Sequence, residues 1–135
     1  MRILPILFFL IAFGSSQPTT PVHPLQIDVR TGLFQNDLLK VTVQIENKSE
    51  FNIEYLEGFL IVIGQDGTIK REIRLHVIQP SDKMLLSKNS ISASETMDYK
   101  EYEYSKFLFH ISKIRFQGNY RLFTYHPAVG LIRID

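Results

Sequence analysis

The chain has 135 residues, 44% of them hydrophobic and 21% charged, with a formal charge of +1 and no cysteine. That length holds one ordinary domain with a core of its own. The missing cysteines exclude a disulfide framework, a thiol nucleophile, a thiolate metal site and a cysteine-linked lipid anchor. Charges of both signs are interspersed, so nucleic acid and anionic membrane surfaces are poor partners.

In chain order, the first element is Met1–Ser16. Arg2 supplies one positive charge, Ile3–Phe13 is an almost unbroken apolar run, and Gly14-Ser15-Ser16 offers small residues for a signal peptidase. The run is short of the about 20 residues that a membrane span needs. The expectation is a cleaved signal peptide over 1–16, hence a protein exported to the bacterial periplasm or envelope, or secreted, with no membrane span after cleavage. Arg2 leaves with the leader, and fourteen residues of each charge remain. Residues 17–24, with three prolines and two threonines, read as an extended linker. The domain proper is expected over 25–135.

From Leu25 the dominant period is two. Leu25, Ile27 and Val29 alternate with polar residues, and Leu39, Val41, Val43 and Ile45 do the same in the cleanest half-buried strand. Asn47–Glu50 is a polar turn. Phe51, Ile53, Tyr55, Glu57, Phe59, Ile61 and Ile63 are expected to form one face of a long strand. Its second half is apolar on both faces and suits a position between two layers. Gly64-Gln65-Asp66-Gly67 reads as a hairpin turn whose Asp-Gly pair tolerates positive φ. The return strand, Thr68–Ile78, points Ile73, Leu75 and Val77 inward, and Pro80-Ser81-Asp82 ends it.

Residues 81–106 are less regular, with a serine-rich stretch and a short helix expected near 94–106. Alternation resumes at Phe107, Phe109 and Ile111. After the turn Gln117-Gly118-Asn119, a strand opens at Tyr120, Leu122 and Thr124, and a last one runs Val129–Ile134. Seven to eight short antiparallel strands with regular turns predict an all-β, immunoglobulin-like β-sandwich.

Two local patterns carry a resemblance. Val41–Ser49, then Ile53, Gly58–Ile63 and Asp66-Gly67, resembles the opening of immunoglobulin-like sandwich domains of exported bacterial proteins, including the FxLYD type. Phe116-Gln117-Gly118-Asn119-Tyr120-Arg121-Leu122 is similar to the Gly-x-Tyr-x-Leu start of a late strand in many such domains, where the tyrosine serves as a corner residue. Gly64 departs from the FxLYD pattern, which has an aromatic or apolar residue there. The resemblance implies an accessory or interaction module without a shared active site.

No catalytic or cofactor motif stands out. His23, His76, His110 and His126 lack metal-ligand spacing, with His76 and His110 at outward strand positions. There is no Gly-x-Ser-x-Gly and no phosphate loop. Glu101 and Glu103 would sit about 7 Å apart on one strand face. A carboxylate-dependent hydrolase built on that pair is the least favoured reading, because an exposed polar face explains the pair as well.

Asp98–Tyr104 is the most distinctive surface segment. Its tyrosines Tyr99, Tyr102 and Tyr104, interleaved with charge, suit partner recognition, while the structural alternative is an edge element whose tyrosines cap the core. Asn47-Lys48-Ser49 fits a glycosylation sequon on a turn, with Asn47 the acceptor in a eukaryotic pathway. The expectation is therefore an exported, non-enzymatic module, without cofactor or metal, that binds a protein or glycan through loops or an exposed sheet edge. An envelope accessory protein of the chaperone or inhibitor kind is the alternative.

Overall fold

The structure, a computed structural model, describes residues 23–135. The leader at 1–16 and most of the linker lie outside the described residues. Eight strands follow in chain order: β1 (Leu25–Phe34), β2 (Leu38–Asn47), β3 (Ile53–Ile63), β4 (Ile69–Ile78), β5 (Ser90–Asp98), β6 (Lys106–Phe116), β7 (Phe123–His126) and β8 (Gly130–Arg133). One short helix, α1 (Tyr99–Tyr102), joins β5 to β6. All pairings are antiparallel. A three-stranded sheet in the order β1-β2-β5 faces a five-stranded sheet in the order β4-β3-β6-β7-β8. This is the immunoglobulin-like sandwich that the alternation predicted.

The core lies between the two inner faces. From the smaller sheet come Val41, Val43 and Ile45, each fully buried, as the clean alternation of that strand required. From the larger sheet come Leu56, Leu60, Val62, Ile111 and Ile114, also fully buried. Filling this interface from both sides is the main term holding the sheets together, at about 25 cal/mol per Å² of apolar surface removed from water.

The hairpin joining β3 to β4 is the expected one. Gly67 has φ +87°, where a side chain would be strained, and Asp66 accepts hydrogen bonds from the Thr68 backbone and hydroxyl. Those bonds hold the Asp66 carboxyl below its ordinary range.

β3 departs from its expected face. Ile53 is buried, but its pairing with β6 is irregular between Ile53 and Tyr55, and the next fully buried residue is Leu56. That extra residue reverses the phase of the strand. Leu56, Leu60 and Val62 therefore face the core, while Tyr55, Glu57, Phe59 and Ile61 face outward. No second layer covers the outer side of Phe59–Ile63 among the described residues, and these side chains are half-buried.

Gly58, on the inner side, allows the two strands to approach. A Cβ there would lie 2.3 Å from the His110 carbonyl oxygen and 2.6 Å from the Phe109 ring. The segment 81–89, irregular in sequence, is tied down by a bridge between Leu85 and Ile53.

Candidate functional site

A broad concavity lies at one end of the sandwich, where the β2–β3 turn, the β6–β7 loop and the β7–β8 turn converge. It is a cleft of about 720 Å³, lined chiefly by Phe51, Phe116, Phe123, Val129 and Leu131, with Ser49, Gln117 and Asn119 at its polar margin. That volume falls within the about 300–1,000 Å³ usual for ligand sites, and the mix of apolar wall and sparse polar groups is also usual. Phe116 stands at its centre, edge-on to Phe51 (centroids 6.4 Å apart, planes at 70°) and to Phe123 (6.3 Å, 65°). Phe116 is buried, whereas Phe51 is 63% exposed.

The polar residues around the cleft hold its loops. Asn52 Nδ2 donates to Gln117 Oε1 at 2.9 Å, and the Gln117 amide donates to the Asn52 carbonyl at 2.8 Å. Gly118 takes φ +82° at the turn beyond Phe116, and Asn119 Oδ1 accepts from the Arg121 amide.

Asn47 builds the β2–β3 turn from the inside. It is fully buried, and its Nδ2 donates to the Phe51 carbonyl at 2.8 Å and the Leu85 carbonyl at 3.3 Å. Its Oδ1 accepts from the Ser49 amide and hydroxyl. The amide nitrogen that a glycan would need is thus enclosed and already engaged. Turn construction replaces the sequon reading of Asn47, because a glycan there would displace these bonds.

The three candidate tyrosines do not share a surface. Tyr102 belongs to the core, with the Lys70 ammonium 5.1 Å above its ring. Tyr99 is half-buried against the same core, its amide donating to the Asp37 carbonyl, and Tyr104 alone is open, at 71% exposure. The cause is α1, whose helical turn Asp98 caps by accepting from the Glu101 amide. Helical geometry turns residues that would alternate on a strand in three directions. The same helix removes the strand-face spacing from Glu101 and Glu103, which are both exposed, with Glu101 in α1 and Glu103 just beyond it.

Tyr120 is 75% exposed, with the Arg121 guanidinium stacked 5.1 Å from its ring, and β7 begins only at Phe123. It is a surface residue and not a corner tyrosine. Among the histidines, His23 Nδ1 lies 3.2 Å from the Tyr125 hydroxyl, and His126 Nδ1 accepts from the Ala128 amide. Among the described residues, no group of three or more metal-ligating side chains is assembled, and no helix is long and apolar enough to cross a membrane.

The sequence reading missed one cluster. On the outer face of the larger sheet, Glu57 is only 3% exposed and accepts hydrogen bonds from the Tyr55 hydroxyl and from Arg74, with His76 Nδ1 at 3.7 Å. Burial pushes the Glu57 carboxyl up, but the Tyr55 hydroxyl, Arg74, Lys113 and His76 outweigh it and hold the group below its ordinary value. The Tyr55 hydroxyl is raised in turn, first by its bond to Glu57. A charge inside the otherwise apolar and aromatic series Tyr55–Phe59–Ile61 was the one visible signal.

No family model matches the sequence, and no curated protein matches it. Among solved structures, it is similar to a putative ApaA protein from Bordetella pertussis, at 12% identity and a TM-score of 0.53, covering 84% of this chain and 94% of that one. A second structural-genomics target, SoR45, aligns over 71% of this chain and 76% of its own at 11% identity and a TM-score of 0.46. At such identities, the ApaA-like protein shares a fold with this chain and nothing more is carried over.

Proposed function

We propose that this chain is an exported, non-enzymatic β-sandwich that recognises a partner through the loop-end aromatic cleft. The partner is a protein or a glycan, and the apolar wall favours a protein that inserts an apolar or aromatic side chain. The observation that carries this reading is the exposed Phe51 ring held edge-on to buried Phe116 at the lip of a 720 Å³ cleft. Large rigid side chains at the centre of a desolvated pocket supply most of the energy of such contacts. Export itself rests on the Met1–Ser16 leader and is tested by N-terminal sequencing of the protein recovered from culture medium or periplasm.

The test of binding is affinity capture from the native envelope or medium, using residues 17–135. That span contains every strand of both sheets and the whole buried core. Phe51→Asp serves as the comparison. A partner retained by the native domain and lost by the variant supports the reading. Retention indifferent to Phe51, or no specific retention, overturns it.

A further inference from the structure

Among the described residues, Arg115 forms no ion pair, and its buried Nε meets no hydrogen-bond acceptor. No other buried side-chain polar atom among them is left in that state. Arg115 is half-buried near the end of β6, opposite Tyr55 of β3 on the outer side of the larger sheet. Glu57, further along that face of β3, is already engaged by the Tyr55 hydroxyl and Arg74. The chain thus holds a guanidinium in place and gives it no anion of its own.

A polar pocket of about 280 Å³ accompanies it, lined by Arg115, Glu54, Gly118, Asn119 and Tyr120. Arg121 stacks on the Tyr120 ring, its Cζ 5.1 Å from the centroid, and forms no ion pair among the described residues. Two guanidiniums therefore outnumber the one carboxylate of the lining, Glu54, and the balance favours an anion. The arginine fork matches the planar, two-oxygen geometry of a carboxylate.

This pocket adjoins the Phe51 cleft. Gly118 and Asn119 belong to the walls of both. Successive side chains of β6 point to opposite faces, which puts Phe116 in the cleft and Arg115 across the turn from it. A chain that crosses the Gly118-Asn119 turn passes from an aromatic wall to a cationic one.

We propose that the partner's binding segment is a peptide that pairs an apolar side chain with an aspartate or glutamate beside it. The apolar side chain fills the Phe51 cleft, and the terminal nitrogens of Arg115 donate to the carboxylate across the Gly118-Asn119 turn. Arg121 adds attraction from the side, and Glu54 opposes it. The inference rests on the binding-module reading and deepens it by naming the partner's chemistry.

Two acetylated, amidated pentapeptides test it, Gly-Asp-Phe-Asp-Gly and Gly-Asn-Phe-Asn-Gly, titrated into residues 17–135 and followed by the amide shifts of Gly118 and Asn119. The aspartate peptide binds about fivefold or more tightly than the asparagine one, and the preference shrinks as salt rises. Arg115→Gln abolishes the preference and leaves the affinity of the asparagine peptide unchanged, which excludes a folding defect. Arg115→Lys keeps part of the preference, Glu54→Gln widens it, and Phe51→Ala weakens both peptides alike. Equal affinities of the native domain for the two peptides, a preference that survives Arg115→Gln, or no saturable shift overturns the inference. Where Phe51→Ala still weakens both peptides but Arg115→Gln changes nothing, the inference fails and the cleft reading stands. Indifference of both peptides to Phe51→Ala overturns the cleft reading and this inference with it.

Discussion

The Arg74 guanidinium donates to Glu57 Oε2 at 2.7 Å across the outer face of the larger sheet, while Arg74 Cζ lies over the Phe59 ring, 5.0 Å from its centroid. Arg74 is half exposed, and Glu57 is almost completely enclosed. The pair thus keeps a carboxylate ionised at a position where the neighbouring side chains of β3 are apolar or aromatic. Arg74→Ala removes a charge-assisted bond and leaves Glu57 with weaker partners. The expected cost is about 1–2 kcal/mol, towards the low end because Arg74 is solvated. Urea unfolding measures it.

The same pair sets part of the acid response. Folding favours the ionised form of Glu57, because its carboxyl lies below the ordinary value of 4.5 in the folded chain. Its contribution is therefore fully present above the unfolded value and is lost as pH falls through the folded one. Glu57→Gln should make the fall in stability between about pH 5 and pH 2 shallower than in the native chain. Chemical denaturation across that pH range checks this, and an unchanged acid limb would show that other carboxylates dominate.

Asn47→Ala should be among the most damaging polar substitutions. It removes one of two donors from the Phe51 and Leu85 carbonyls, which keep the Ser49 hydroxyl and the Ile53 amide, and it takes the acceptor from the Ser49 amide. One amide left without its partner, with two carbonyls weakened, gives an expected loss of about 1–3 kcal/mol. Because the turn also positions Phe51, partner capture should weaken in parallel. Thermal unfolding and capture measured on the same variant report both effects.

Gly58→Ala places a methyl group against the His110 carbonyl, a backbone atom that cannot swing aside. Overpacking of this kind costs about 1–3 kcal/mol. The β3–β6 ladder would open locally, which faster exchange of amides flanking Gly58 would reveal.

Much of this fold was legible in the sequence because β2 alternates without interruption and the Asp66-Gly67 turn announces itself. Period-two reasoning failed where the period broke. The irregular pairing between Ile53 and Tyr55 shifted β3 by one residue and sent Tyr55, Glu57, Phe59 and Ile61 to the outer face. It failed again at Asp98, whose capping bond starts a helix and pulls Tyr102 into the core while Tyr104 stays outside. The candidate cleft was not legible, because Phe51, Phe116 and Phe123 come together only through the meeting of separate loops. Asn47 had a visible turn signal, but its burial follows from Leu85, 38 residues away.

Phe51 and Phe116 divide binding from stability. Phe116→Ala empties a buried aromatic site and should cost about 3–5 kcal/mol, whereas Phe51→Ala, at 63% exposure, should cost under about 1 kcal/mol. The central claim is that the exposed ring is a binding anchor. The most direct measurement is the affinity of the captured partner for residues 17–135 and for Phe51→Asp, by calorimetry at matched Tm. A loss of at least about 30-fold, corresponding to about 2 kcal/mol, is the predicted result. Equal affinities for the two would contradict it.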